Sequence, residues 1–148
     1  MKVYLAGCAS FQKIIEPLYI PSVLESFFYF RSDWQLDYIK DKNFLLDSGA
    51  FTFMMDSGRN VDWDNYVERY ADFINTNKIK YFFELDIDSI VGYDVVKKLR
   101  KKLEKLTGSQ AIPVWHLSTG IYLEEKKNFL GIVMSMTMLL LAALCQGR

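Results

Sequence analysis

The sequence predicts an α/β fold of parallel strand–helix units, forming half of a barrel or a small open sheet. Short apolar segments alternate with segments of about 10–15 residues whose apolar residues recur at helical spacing, which is typical of βαβ units. The apolar run at residues 44–46 lacks polar alternation, as expected for a parallel strand buried on both faces. The 148 residues suffice for one domain, whereas a complete eight-stranded barrel needs about 200 or more. About four strand–helix units fit this length.

The N-terminal segment is predicted to contain a short strand and an interrupted helix. The strand covers residues 2–6 and ends at Gly7. The segment 11–30 has helical character, broken by Pro17 and Pro21 because proline lacks the backbone N–H that a helix needs.

The middle of the chain is predicted to contain two helices with a strand between them. A short helix at 34–39 precedes the strand at 44–46, and a loop with Ser57 and Gly58 follows. Asp62 is a helix-capping residue, so we expect a helix from there to about Asn75. Its apolar residues form one stripe at helical spacing: Trp63, Tyr66, Val67, Tyr70 and Ile74.

Two further units are predicted after residue 80. A strand at 81–87 precedes a helix at 94–106, and Gly108 is a natural stop for that helix. A fourth strand is predicted at 111–116 and a short helix at 119–127.

The end of the strand at 44–46 is the first candidate site. Asp47 follows the apolar run directly, so its carboxylate is expected at the C-terminal edge of the sheet, where α/β folds place their chemistry. Ser48 and Gly49 come next, and Gly49 allows a sharp turn and leaves room for a flat ligand. The alternative is an Asx turn that only closes the strand.

Three carboxylates at alternate positions of the next strand form a second candidate site. Glu84, Asp86 and Asp88 are predicted to share one face, and burying them is costly unless they are paired, protonated or exposed at the strand end. Asp86 and Asp47 could supply a carboxylate pair for acid–base work at a glycosidic bond or for binding a purine edge. The alternative is that Asp88 caps a helix and Glu84 forms a salt bridge.

No metal or cofactor is predicted. His116 is the only histidine, and it closes the fourth predicted strand, where it is either functional or structural. Cys8 and Cys145 lie too far apart for a metal-binding spacing, and no glycine-rich nucleotide motif occurs. Free thiols and the lack of a signal peptide predict a cytoplasmic protein.

The charges balance overall but cluster locally. Acidic and basic residues number 18 each, so the total charge indicates no particular partner. Six basic residues lie on the helix predicted at 94–106, where a solvated outer face is the default interpretation and contact with phosphates is the alternative: Lys97, Lys98, Arg100, Lys101, Lys102 and Lys105.

Three segments resemble the tRNA-guanine transglycosylase family. Residues 46–51, Leu-Asp-Ser-Gly-Ala-Phe, resemble its Asp-Ser-Gly-Gly-Phe signature. They are closer still to the DNA-acting phage and bacterial relatives that exchange guanine for 7-deazaguanine bases. Residues 85–87 and 112–116 resemble the next two signature strands, and the spacing of the three segments also fits. The resemblance covers roughly residues 1–125.

The resemblance implies a TIM-type (βα)8 barrel that exchanges guanine at an N-glycosidic bond in DNA or tRNA. In such enzymes an aspartate nucleophile attacks the sugar, guanine leaves, and a guanine or 7-deazaguanine base enters. Asp47 would be catalytic, contacting the base and assisting proton transfer, while Asp86 would read the purine edge. The remaining substrate-binding positions would be Ser48, Gly49, Phe51, Asp88 and His116.

The chain departs from the family pattern in three ways. Ala50 stands where the signature has its second glycine, and the zinc-binding Cys/His cluster of the tRNA enzymes is missing from the sequence. The family's nucleophile lies on a later strand, beyond the resemblance. We therefore expect the chain to be a truncated, inactive N-terminal half, or one that a second polypeptide completes. The alternative is a non-catalytic module that binds a purine or a nucleic acid.

The chain changes character near residue 128, which predicts a barrel half at 1–128 and a separate tail at 129–148. From Phe129 to Gly147 the only ionisable side chain is Cys145. One codon choice for residues 134–144, shifted by two bases, encodes Tyr-Val-Ala-Ile-Gly-Gly, the strand expected next in the family. A frameshift is therefore one hypothesis for the tail. A membrane anchor, which would make this a small tail-anchored protein, and a buried core segment are the others.

Overall fold

The computed structural model describes residues 3–7, 19–57 and 61–114. The chain divides into two compact units, one of Tyr4–Val114 and one of residues 1–3 with 115–148. Several predicted features lie outside the described residues: the segment 11–18, His116, the helix at 119–127, the boundary at 128 and the tail.

The sheet consists of parallel strands in the order of the sequence. Strands β1 (Leu5–Ala6), β2 (Ser22–Ser26) and β3 (Asn43–Asp47) pair in that order. Two parallel bridges continue the array, from Leu46 to Phe82 and from Phe83 to Ile112. The prediction of a mixed α/β fold with parallel strands is therefore confirmed for the described residues.

Strand β2 replaces part of the helix that the sequence predicted at 11–30. Pro21 cannot donate the backbone hydrogen bond that would continue a helix, and its carbonyl accepts instead from Asn43 N at 2.9 Å. Val23 is fully buried between the neighbouring strands. A five-residue strand is too short to reveal its period, so the sequence pattern was ambiguous here.

Five helices and one 3₁₀ turn, at Phe27–Tyr29, lie within the described ranges. Predicted helices are confirmed at α1 (Asp33–Ile39), α3 (Trp63–Thr76) and α5 (Tyr93–Thr107). Helices α2 (Ala50–Ser57) and α4 (Asp88–Val91) were not predicted. None of these helices is long and apolar enough to cross a membrane.

The caps of α3 and α5 follow the sequence prediction. Asp62 caps α3, its Oδ1 accepting from Asn65 N at 3.0 Å. Gly108 ends α5 in a left-handed conformation (φ +67°), and its N–H donates to Glu104 O at 2.9 Å.

Helices α3 and α5 pack against each other and supply most of the core. Lys102 of α5 forms ion pairs of 2.8 Å with both Asp64 and Glu68 of α3. The fully buried or nearly buried core residues include Leu46, Tyr66, Val67, Tyr70, Ile74, Phe82, Leu85, Ile87, Val96, Leu99 and Leu103.

The strand predicted at 81–87 pairs over a shorter length than expected. Only Phe82 and Phe83 form bridges, and Ile112 is the single bridging residue of the segment predicted at 111–116 that lies in the described part. Glu84 N still donates to Ile112 O at 2.9 Å, and beyond it the backbone forms a local turn in which Ile87 N donates to Leu85 O at 3.1 Å. The alternation expected for Glu84, Asp86 and Asp88 therefore does not persist.

Candidate functional site

Asp47 lies at the C-terminal end of β3, as predicted. Its Oδ2 accepts a hydrogen bond from Gly49 N at 3.0 Å, which is the Asx turn expected as the alternative. The side chain is half-buried. Burial raises its pKa, the hydrogen bond from Gly49 N opposes the shift, and the nearby charge of Asp86 raises the pKa further. Asp47 thus holds a proton more readily than an ordinary aspartate.

Gly49 makes the turn after Asp47 possible. Its φ is +64°, a left-handed conformation that favours glycine. A Cβ placed there would lie 2.3 Å from Ser26 Oγ and 2.7 Å from Phe28 Cβ. The predicted sharp turn is therefore confirmed. The prediction that Gly49 leaves room for a flat ligand is wrong on the side of its Cβ position, because Ser26 and Phe28 fill that space.

Ser48 supports the same turn from within the core. It is 1% exposed, and its Oγ accepts from Ala50 N at 3.4 Å. Its carbonyl accepts from Tyr66 OH at 2.6 Å. Burial, and then the charge of Asp47, raises the pKa of the Tyr66 phenol above its usual value, so this hydroxyl remains a donor.

Asp86 and Asp88 lie near the same edge of the sheet. Asp86 is half-buried. Its charge raises the pKa of Asp47, so the two predicted site carboxylates interact electrostatically. Asp88 is the first residue of α4 rather than its N-cap, a position where the helix dipole favours a negative charge.

Glu84 is directed to α5 instead of joining the carboxylate pair. It is 1% exposed, and its Oε2 lies 3.3 Å from Arg100 Nη1. Its Oε1 accepts from Val114 N at 2.8 Å. Burial raises its pKa to about 7, although Arg100 and the Val114 hydrogen bond oppose the shift. The salt bridge considered as its alternative role is therefore what the structure contains.

Phe51 and His116 are the remaining predicted site residues. Phe51, in the first turn of α2, is 52% exposed and accessible near the turn. His116 lies outside the described residues.

Sequence reasoning missed Ser26 and Tyr66, which surround the turn after Asp47. Ser26 ends β2, whose pairing places it opposite Asp47. It would have been expected there only if β2 had been recognised as a strand, since the C-terminal ends of adjacent parallel strands meet at one edge. Tyr66 was predicted to belong to the apolar stripe of the core, and its ring does pack on that of Phe53, with 4.7 Å between the ring centroids. Its hydroxyl, however, donates to the turn after Asp47.

Within the described ranges, no group of three or more His, Cys, Asp or Glu side chains is arranged to hold a metal ion. No protein-family model, curated protein or solved structure matches this chain.

Proposed function

We propose that this chain binds a purine base beside Asp47 and Asp86 and belongs to a site that exchanges guanine at an N-glycosidic bond of a nucleic acid. The observation that carries the proposal is the half-buried Asp47, whose pKa is raised by burial and by Asp86, at the C-terminal end of a parallel strand. The three ordered segments that resemble transglycosylases support it as well.

The two carboxylates suit different parts of this chemistry. A protonated Asp47 can donate to an acceptor of a departing guanine, which presents N7 and O6. The carboxyl oxygens of Asp86 can accept hydrogen bonds from the donor edge of the same base. We place the nucleophile that attacks the sugar outside the described residues.

We also propose that the sheet is part of a TIM-type barrel. Each strand pairs with the next one along the chain, whereas a doubly wound sheet reverses its strand order. The described part contributes five adjacent strand positions. A second polypeptide would supply the remaining units of an eight-stranded barrel.

Binding of the base is tested by equilibrium dialysis of the full chain with radiolabelled guanine and 7-deazaguanine. We expect Asp47→Asn and Asp86→Asn each to weaken binding about tenfold or more, because each removes a charged or proton-donating contact. Asp72→Asn, an exposed change on α3, is the matched control and should bind like the unaltered chain. Equal binding by all four proteins, or none by any, would contradict the proposal.

Exchange is tested by incorporation of labelled guanine into duplex DNA and, separately, into tRNA. Incorporation that Asp47→Asn abolishes supports a catalytic site, and the nucleic acid that is labelled identifies the substrate. Binding without incorporation into either polymer would fit an inactive N-terminal half as well as the second candidate, a module that holds a purine without cleaving a bond.

A further inference from the structure

Helix α5 carries three lysines that take no part in the ion pairs of the described residues. Of its six basic residues, Arg100 pairs with Glu84, Lys102 with Asp64 and Glu68, and Lys97 with Asp94 at 2.8 Å. The other three are exposed and form no ion pair with any described residue: Lys98, Lys101 and Lys105. We call these three residues the lysine row.

The lysine row lies along one side of the helix. Its members are spaced by three and four positions, which places them one above another on the same helical face. With a rise of about 1.5 Å per residue, the row is about 10 Å long. The buried side of α5, at Val96, Leu99 and Leu103, faces the core, so the row is its outer edge.

Acidic residues border the lysine row. Asp64 and Glu68 of the neighbouring helix α3 are held against α5 by Lys102. Asp94 lies in the first turn of α5 itself, and its pKa is lowered by the hydrogen bond and charge of Lys97 and, to a smaller extent, by the charge of Lys98. The positive surface is therefore narrow. A flat anionic membrane would also approach these carboxylates and be repelled by them, whereas a single strand of phosphates would contact the row alone.

We propose that the lysine row binds the phosphate backbone of a nucleic acid, at a surface separate from Asp47 and Asp86. Successive phosphates of one strand lie about 3.4 Å apart along a duplex axis, so the row can span about three of them. Because the chain has a formal net charge of zero, attraction to a polyanion must come from a local surface of this kind. The choice of nucleic acid as the polyanion rests on the proposed function.

The test compares two triple variants of the full chain with the same change in charge. Lys98→Gln, Lys101→Gln and Lys105→Gln together remove the row, while Lys40→Gln, Lys78→Gln and Lys80→Gln remove exposed lysines elsewhere. Binding of fluorescein-labelled duplex DNA and duplex RNA is measured by anisotropy over a series of KCl concentrations. Circular dichroism and urea unfolding establish that both variants are folded.

We expect removal of the row to weaken binding at least tenfold at low salt and the control to change it less than twofold. The slope of log K against log salt should fall in magnitude by about 2 to 3, since each phosphate contact contributes about 0.9. An equal loss in the two variants, or no loss in either, would overturn the proposal. So would equally tight, row-dependent binding to phosphatidylserine vesicles.

Guanine dialysis separates this inference from the proposed function. The row variant should bind free guanine as the unaltered chain does, because the row does not contact the base. If no guanine binding is found but row-dependent DNA or RNA binding is, the purine site fails and the lysine row stands.

Discussion

Gly49 occupies a position where both the backbone conformation and the available space require glycine. Its left-handed φ strains any side chain, and a Cβ would also lie 2.9 Å from Phe28 N, a backbone atom that cannot easily move. Gly49 follows β3 and lies against the 3₁₀ turn that follows β2. A single residue therefore determines how closely the C-terminal ends of these two strands approach each other.

Gly49→Ala should therefore destabilise the protein more than an alanine substitution at a glycine that has positive φ but open space around its Cβ position. Gly108→Ala is the matched control, because Gly108 also has positive φ but nothing lies within 4 Å of its Cβ position. We expect a loss of about 1–2 kcal/mol for Gly108→Ala and at least about 1 kcal/mol more for Gly49→Ala, measured by urea unfolding. Equal losses would mean that Ser26 and Phe28 give way to the new methyl group.

Glu84 gives the stability a pH dependence. Its pKa in the folded protein is about 7, above the ordinary 4.5, so between these values the folded state retains a proton that the unfolded state has released. The stabilising effect is complete below pH 4.5 and is lost as the pH rises through 7. The expected fall is on the order of 3 kcal/mol.

Glu84→Gln should remove most of that fall, because an amide does not titrate. Urea unfolding at about pH 5 and about pH 8 measures it, with the exposed Glu68→Gln as control. Asp47, whose pKa is also raised, contributes to the pH dependence with the same sign. A Glu84→Gln protein that kept the whole pH dependence would assign it to other groups.

Helix α3 is attached to the sheet by hydroxyl groups as well as by its apolar stripe. Tyr66 donates to Ser48 O, and Tyr70 donates to Phe83 O at 3.1 Å and to Leu46 O at 3.3 Å. These bonds link one helix to two adjacent strand positions and to the turn that carries Asp47.

Replacing the two tyrosines by phenylalanine should have unequal effects. Tyr66→Phe is expected to cost about 1–2 kcal/mol, because it removes a short, buried hydrogen bond to Ser48 O. Tyr70→Phe should cost less, since its single O–H is shared between two longer hydrogen bonds, of 3.1 and 3.3 Å. Urea unfolding compares them, with the 91% exposed Tyr19 as a control position. A larger loss for Tyr70→Phe would contradict this ranking.

Helices with a periodic apolar pattern over many residues, or with an unambiguous capping residue, were predictable from the sequence. Helices α3 and α5 repeat an apolar stripe over 14 and 15 residues, and Asp62 and Gly108 mark a start and an end. Helix α2 was missed because its Ala-Phe-Thr-Phe-Met-Met run shows no clear period, and α4 because it is a single turn.

The candidate site was predictable only where it depends on one strand. Asp47 ends an apolar run, and this alone placed it at the sheet edge. The direction of Glu84 depends on where strand pairing stops and on Arg100, which is 16 positions further along the chain (100 minus 84). No local pattern contains that tertiary contact, and the same holds for Ser26 beside Asp47.

The molecule as a whole has no net charge that would make its copies repel one another. Its formal net charge is zero at pH 7 and its pI is about 6.6. We expect solubility to be lowest near that pH, measured by precipitation with polyethylene glycol between about pH 5 and about pH 9. The variant lacking the lysine row should have its minimum at a lower pH, and an unchanged minimum would mean that net charge does not govern solubility.

The parallel bridges that join each strand position to the next along the chain have a consequence for how the protein is made. Leu5 pairs with Val23, Val23 with Phe44, Leu46 with Phe82, and Phe83 with Ile112, so each of these pairings among the described residues joins neighbouring strand positions of the chain. The sheet can grow one strand at a time as the chain leaves the ribosome. Hydrogen-exchange labelling of stalled nascent chains should find the amide of Leu46 protected before Ile112 has been synthesised.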